Sequence, residues 1–289
     1  MVACAGARAD VAALLLRRAC GASQGLLYSR LLPSTDLHCA VRAHAGRIHC
    51  VHSFLRGVIS VSDETARVHS MGGLLLASLG PPVAARQPDA PPVLLQCVRP
   101  AAGFESSQFL LGSSAPMMTL HDAAAAAPGE PLAAVLLSHD AMFMEAGRHL
   151  VVGGADGSLS LLDPLLRSLD VVRTLPSHTG GLRDMSAAGD LLVTIGNVRR
   201  GAVASYHGHA PVHADHAIKV FDLRMMRETA SLGIVLPPGV VPVGVRFAPA
   251  AIGARLLVVD VRGACHVVDV RGAMSDAEYF AVCAREGGG

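Results

Sequence analysis

Tryptophan is absent from the 289 residues, and aromatic side chains make up only 3% of them. A core built on this chain must therefore pack Leu, Val and Ala instead of large rings. Charge is sparse as well: charged residues are 16% of the chain and the formal net charge at pH 7 is +1. That balance excludes the broad cationic footprint of a non-specific nucleic-acid binder. The seven cysteines (Cys4, Cys20, Cys39, Cys50, Cys97, Cys265 and Cys283) are scattered, odd in number and form no Cys-x-x-Cys pair. A chain of this length needs no disulfide staples, so reduced thiols and a cytoplasmic location are expected, with the nucleus as the alternative. No run reads as a transmembrane helix, and no membrane partner is expected. The longest uncharged apolar run, 229–245, is broken by Pro237-Pro238-Gly239 and reads as a loop between strands. There is no Walker loop and no Gly-x-Gly-x-x-Gly. Nothing in the order of residues sets a nucleophile beside a base, and no cofactor is implied.

What the chain has in abundance is apolar residues, 51%, enough for a sizeable core. They are arranged in a repeat. Residues 147–164 read GRHLVVGGADGSLSLLDP; residues 189–196 read GDLLVTIG, and 216–224 read HAIKVFDLR. Each copy is an apolar strand, a turn, and a second strand closing on aspartate. Such a unit cannot bury both faces alone, so tandem copies predict an array. The closing strand, apolar–any–apolar–any–Asp, fits 159–163, 218–222 and 265–269, and more weakly 118–122, 66–70 and 25–29. The closing residues are Ser29, Ser70, Asp122, Asp163, Asp222 and Asp269, spaced 41, 52, 41, 59 and 47 apart. Propeller blades repeat every ~40–45 residues, which divides this chain into about seven. The expectation is an all-β, WD-repeat-like β-propeller of six or seven blades, with seven favoured. It would span 25–271, after a low-complexity or ring-closing segment 1–24 and before a tail 272–289.

The strand before each turn is also recognisable, at 57–61, 149–152, 191–195 and 256–259. Ser62-Asp63-Glu64, Asp156-Gly157 and Arg262-Gly263 are turn signals, Asp-Gly favouring a positive φ. Residues 81–92 and 123–127 read as linkers between blades. His44-Ala45-Gly46 and His178-Thr179-Gly180 precede two blades. Histidines so placed bond within the blade, so His44 and His178 are expected to be structural, together with Asp163, Asp184, Asp222 and Asp269.

Three constellations invite a chemical reading. His207, His209, His213 and His216 have the spacing H-x-H-x3-H-x2-H within the insertion of the 189–224 unit. No cysteine lies nearby and the segment is rich in Gly, Ala and Pro, which favours a polar loop over a metal site. Asp276-Ala277-Glu278 has the Asp-x-Glu form of two-metal exonucleases. Such a site needs further carboxylates downstream, and Glu286 alone follows, so a solvated tail outweighs a nuclease. Arg199, Arg200, Arg224 and Arg227 flank one blade and could meet phosphate or an acidic partner surface, against the plainer reading of solvated loop charge.

The region 147–271 resembles the WD-repeat N-terminal domain of the catalytic subunit of the poly(A)-nuclease (PAB-dependent poly(A)-specific ribonuclease) deadenylation complex. The resemblance is carried by SLSLLDP at 158–164, SHTGGLRDM at 177–185, GDLLVTIG at 189–196, IKVFDLRMM at 218–226, VGVRFAP at 243–249 and HVVD at 266–269. Arg42-Ala43-His44 and 57–61 extend it more weakly upstream. In that family the propeller precedes a linker, an inactive ubiquitin-hydrolase-like domain and an exonuclease, and the linker engages a pseudokinase subunit. The exonuclease carboxylates find no counterpart within the 289 residues, so no catalytic residue carries over. The chain is expected to be the product of a shortened gene or one half of a split protein. The resemblance implies a non-catalytic scaffold that docks on the pseudokinase subunit, meets poly(A) ribonucleoprotein indirectly, and works in the cytoplasm or P-bodies. Arg199, Arg200, His207 and His209 are the expected contact residues. The alternative is a generic WD-repeat adaptor, in ubiquitin ligation or trafficking.

Overall fold

The computed structural model describes residues 11–14, 25–31, 37–54, 57–70, 72–81, 92–101, 107–125, 129–146, 149–163, 169–199, 212–229, 234–248 and 255–270. Every regular element among them is a strand, and the described strands pair into six sheets. The chain divides into two compact units, 1–142 and 143–289.

The first unit holds three sheets. One is β1 (Val11–Leu14), β2 (Gly25–Leu31) and β3 (Leu37–His44), paired in that order. The second is β4 (Ile48–Phe54), β5 (Gly57–Ser62), β6 (Ala66–Ser70) and β7 (Leu75–Leu79). The third is β8 (Leu95–Pro100), β9 (Gln108–Ser113), β10 (Met117–Asp122) and β11 (Ala133–Leu136). All pairings are between sequence neighbours and antiparallel, the simplest meander a chain with short turns can make. The second strand of a sheet is the most deeply sunk: all six residues of β5 are buried. That is why 57–61 does not alternate: Val58 and Ile59 are adjacent and apolar, and the one polar side chain, Ser60, is buried with them. Ile59, Val61 and Val68 pack on Leu95, Val98, Phe109 and Leu111, joining the second sheet to the third.

The second unit begins with β12 (Phe143–Ala146), β13 (Leu150–Gly153), β14 (Ser158–Leu162) and β15 (Val171–Pro176). Next come β16 (Leu182–Ala188), β17 (Leu191–Arg199), β18 (Val212–Ala214), β19 (Ala217–Asp222), β20 (Arg227–Glu228) and β21 (Ile234–Val235). Here β18 pairs with the far end of β17, and β21 with β19. The last sheet is β22 (Pro242–Phe247), β23 (Arg255–Asp260) and β24 (Cys265–Asp269). Val151, Leu159 and Leu161 pack on Met185, Leu192 and Phe221; Val193, Ile195, Ile218 and Val220 pack on Val245, Leu256 and Val258. Aliphatic side chains, with Phe109, Phe221 and Met185 as the larger members, thus fill the inter-sheet layers of this tryptophan-free chain.

Closing strands and their preceding strands fall where the repeat puts them. Three other expectations are corrected. Residues 229–245 are not a loop throughout: β21 and the start of β22 lie within them, because Ile234–Val235 can complete the edge of β19. Residues 123–127 do not separate blades; Ala123–Ala125 leave β10 within a single sheet, in a turn held by the Ala124 N–H donating to Asp122 Oδ1 at 2.8 Å. The insertion 197–215 is not all loop, since its two ends pair as Asn197–Arg199 with Val212–Ala214. The Asp156-Gly157 signal marks a turn from Gly154 to Gly157 in which Gly157 takes φ +89°.

Candidate functional site

The loop 177–181 enters β16 and carries His178, whose ring is buried. The Nδ1–H donates to Asp215 Oδ2 at 3.0 Å, and Nε2 lies 3.1 Å from Thr194 Oγ1. The Thr194 hydroxyl is in turn 3.0 Å from Ser177 Oγ. Lys219 donates its Nζ to the Ser177 carbonyl at 2.6 Å and pairs with Glu228 at 3.6 Å. Burial lowers the pKa of His178 against the opposing pull of the Asp215 hydrogen bond and charge. The ring is therefore neutral at pH 7 and fixes one direction of donation: Ser177 to Thr194, Thr194 to Nε2, and Nδ1–H to Asp215.

The same device occurs in the first unit. His44 Nε2 is 2.8 Å from Ser60 Oγ and Nδ1 is 3.1 Å from Thr65 Oγ1. Arg67 donates Nη1 to the Ala43 carbonyl at 2.7 Å, as Lys219 does to Ser177. Both histidines reach a hydroxyl 16 residues downstream, on the second strand of the sheet that follows them. Burial first, and then the charge of Arg67, lower the His44 pKa to about 4.

Asp215, His178 and Thr194 form a carboxylate–imidazole–hydroxyl row, the order of a nucleophilic triad. The sequence gives no sign of it, because its members come from three separate segments. Chemistry on a substrate is ruled out by access: Thr194 is 0% exposed and His178 2%. The row instead satisfies polar groups inside the sheet, and ties loop 177–181, β17 and the chain entering β19 together.

The remaining expected residues divide. Asp184, on β16, makes the main side-chain tie to the next sheet: its Oδ2 accepts from Val245 N–H at 3.0 Å and Arg246 Nη1 at 2.6 Å. Asp222 ends β19 and accepts at Oδ1 from the Arg224 and Met225 N–H groups at 2.8 and 3.2 Å. Burial would raise its pKa, but these bonds and the Arg224 side chain prevail and hold it low. Asp163 follows β14 and Asp269 ends β24, where it is exposed. Asp260, not singled out in the sequence, stabilises the Arg262-Gly263 turn by accepting from Arg262 and Ala264 N–H, both at 2.9 Å.

Of the expected contact residues, Arg199 ends β17, is exposed, and donates its N–H to Thr179 Oγ1 at 3.1 Å. Arg200, His207 and His209 lie outside the described residues, as do Asp276 and Glu278. His213 is exposed on β18, whereas His216 donates Nδ1–H to the Val240 carbonyl at 3.0 Å. Arg224 is engaged by Asp222 at 3.2 Å and Asp190 at 3.7 Å.

A solved structure of the Neurospora crassa Pan2 WD40 domain superposes with a TM-score of 0.67 at 19% identity, over 91% of this chain and 73% of that one. The likeness establishes the fold as that of a WD-repeat propeller domain. Among curated proteins, the PAN2-PAN3 deadenylation complex catalytic subunit PAN2 of Lodderomyces elongisporus is 35% identical over 109 residues, 38% of this chain and 8% of that protein. The Gallus gallus subunit of the same name is 32% identical over 138 residues, 48% and 10%. The Schizosaccharomyces pombe subunit is 24% identical over 236 residues, 80% and 19%. The chain thus spans no more than about a fifth of the curated relatives it matches. The family model described as PAN2 N-terminal matches residues 132–286, more than half of the 289. Since that match takes in His178, Thr194, Asp215, Asp184 and both sheets they join, the chain belongs to the PAN2 N-terminal family.

Proposed function

We propose that this chain is a non-catalytic WD-repeat scaffold that supports poly(A)-tail shortening in the cytoplasm, with PAN3 as its protein partner. The observation that carries the reading is the PAN2 N-terminal match over 132–286, in a family whose members are named as subunits of the PAN2-PAN3 deadenylation complex. The site chemistry agrees with it. The polar side chains around His178 are turned inward and spent on holding strands, which leaves surface loops for recognition. PAN3 is expected to act here as a pseudokinase subunit, with poly(A) ribonucleoprotein reached indirectly through the assembled complex. The contact residues proposed are Arg199, Arg200, His207 and His209, on the β17–β18 insertion. Acidic side chains are scarce there: residues 197–214 contain two arginines, three histidines and no carboxylate. The test is affinity capture with the tagged 289-residue chain. Recovery of PAN3, weakened at least about fivefold by Arg199→Ala with Arg200→Ala, is the expected result; capture without PAN3 overturns the assignment.

A further inference from the structure

Alternate residues on the second and third strands of a sheet form the face it turns to the sheet after it. In β4–β7 these are Ile59 and Val61 of β5, opposite Val68 and Ala66 of β6, all buried against β8 and β9. In β12–β15 they are Val151 of β13, opposite Leu161 of β14, and Leu159, packed on β16, β17 and β19. In the next sheet Val193 of β17 lies opposite Val220 of β19, with Ile195 and Ile218 beyond them, and all four pack on β22 and β23.

The last sheet repeats this pattern and leaves it uncovered. Counted back from the closing aspartate, Val267 and Cys265 of β24 match Val220 and Ile218 of β19. Their register partners on β23, Leu257 and Val259, match Val193 and Ile195. The four residues of the earlier sheet are at most 1% exposed. Here Val267 is 61% exposed and Val259 39%, Cys265 is exposed, and Leu257 is half-buried. Val261 continues the alternation past the end of β23 and is 57% exposed. The opposite side of the same strand, Leu256 and Val258, is fully buried against the preceding sheet. A strand pair that is apolar on both sides but covered on one presents a surface for a second body.

The uncovered face is its own complement. Along β23 and β24 the register pairs are Arg255 with Asp269, Leu257 with Val267, and Val259 with Cys265. A two-fold axis parallel to the two strands and midway between them lays each pair over the same pair of a second copy, with its members exchanged. Arg255 then meets Asp269, Leu257 meets Val267, and Val259 meets Cys265. Opposite charges cross at one end and apolar side chains fill the rest, as a same-patch contact between identical chains requires. The strands of the two copies stay near alignment, the ordinary arrangement of stacked sheets. Two overlapping strands of five residues span roughly 10 by 17 Å. That is far below the ~800 Å² per partner of a standard interface, so the contact is weak and reversible.

We propose that this chain forms a two-fold dimer through the outer face of β23 and β24, with Leu257, Val259, Cys265 and Val267 as the apolar contact and Arg255 and Asp269 crossing between copies. The PAN3 assignment plays no part in it. Sedimentation velocity of the full 289-residue chain across a range of concentrations tests it. Wild type is expected to pass from monomer to dimer as concentration rises. Val267→Lys should weaken association at least about tenfold by setting two charges in the contact. Asp269→Arg should weaken it about threefold or more, and adding Arg255→Asp to that variant should restore it to within about threefold of wild type. The restored double variant keeps the test valid should the lysine disturb folding. Backbones at the Cys265 positions would lie about 11 Å apart, so a short bis-maleimide should link them, with mass spectrometry placing the link at Cys265 of both copies. A monomer at every concentration overturns the proposal. So does association that Val267→Lys and Asp269→Arg leave unchanged, or a link mapped to other cysteines alone. A chain that stays monomeric and captures a different protein through Val267 also overturns it, by giving the face to a foreign partner.

Discussion

Replacing Thr194 by valine removes one oxygen from a fully buried position and keeps the side-chain shape. No cavity opens, so the effect is purely polar. Two groups lose their partner: His178 Nε2, 3.1 Å away, loses its donor, and Ser177 Oγ, 3.0 Å away, loses its acceptor. A buried polar atom left without a partner costs about 1–3 kcal/mol. Two such atoms, offset by the hydroxyl that no longer needs desolvating, put Thr194→Val at ~2–4 kcal/mol of destabilisation. Thr194→Ser keeps the oxygen and loses one methyl, worth about 1 kcal/mol. Thr194→Val therefore loses the polar part alone, and Thr194→Ser the methyl alone. With no tryptophan in the chain, urea unfolding is best followed by far-UV circular dichroism, reading the midpoint at constant slope. A valine variant as stable as the serine variant would refute the view that the His178 row holds this sheet together.

Two further outcomes follow from the same networks. The His44 pKa, about 4 when folded against 6.5 for the free side chain, is depressed. Its contribution is therefore complete above pH 6.5, declines as pH falls through that value, and is fully lost below pH 4. The loss reaches about 1–3 kcal/mol after allowance for partial screening. Proton uptake measured by the pH dependence of the urea midpoint should shrink in this window for His44→Gln. Alanine at Gly157 would drive its Cβ into the His178 carbonyl oxygen, at φ +89°. Gly263, at φ +82°, has open space, so Gly263→Ala reports backbone strain alone, about 1 kcal/mol. Gly157→Ala should cost at least ~1 kcal/mol beyond that, and equal midpoints for the two variants would contradict the steric account.

The strands were legible because burial writes itself into apolar runs: 57–61 and 191–195 are recognisable because second strands are buried on both faces. The closing aspartates were legible for a local reason, since Asp222 and Asp122 accept N–H groups only two residues ahead. Asp215 and Lys219 carry no local signal, because their role depends on partners 37 and 42 residues away. A hydroxyl 16 residues beyond each of the two histidines, His44 and His178, is the available signal. Asp184 lies in a family block, but its hydrogen bonds to Val245 and Arg246, 61 and 62 residues on, are a tertiary fact that no local pattern encodes. The strands inside 229–245 were missed because Pro237-Pro238-Gly239 dominates the local reading, while Ile234–Val235 and Pro242 find partners on either side of it.

The carboxylate standing where the other sheet has a hydroxyl makes this corner a place where chain length is negotiable. Each doubling of a flexible loop adds only about 0.6 kcal/mol of closure entropy. The span from histidine to its second partner grows from 21 to 37 residues here, so a four-residue turn lengthened by sixteen is a little over two doublings, about 1–1.5 kcal/mol. A loop of that size could be exchanged for another of different sequence, provided the graft begins after Gly196 and ends on an acceptor for His178. Variation among relatives should therefore concentrate between those two points, leaving the histidine, the hydroxyl and the acceptor as the fixed frame around a replaceable segment.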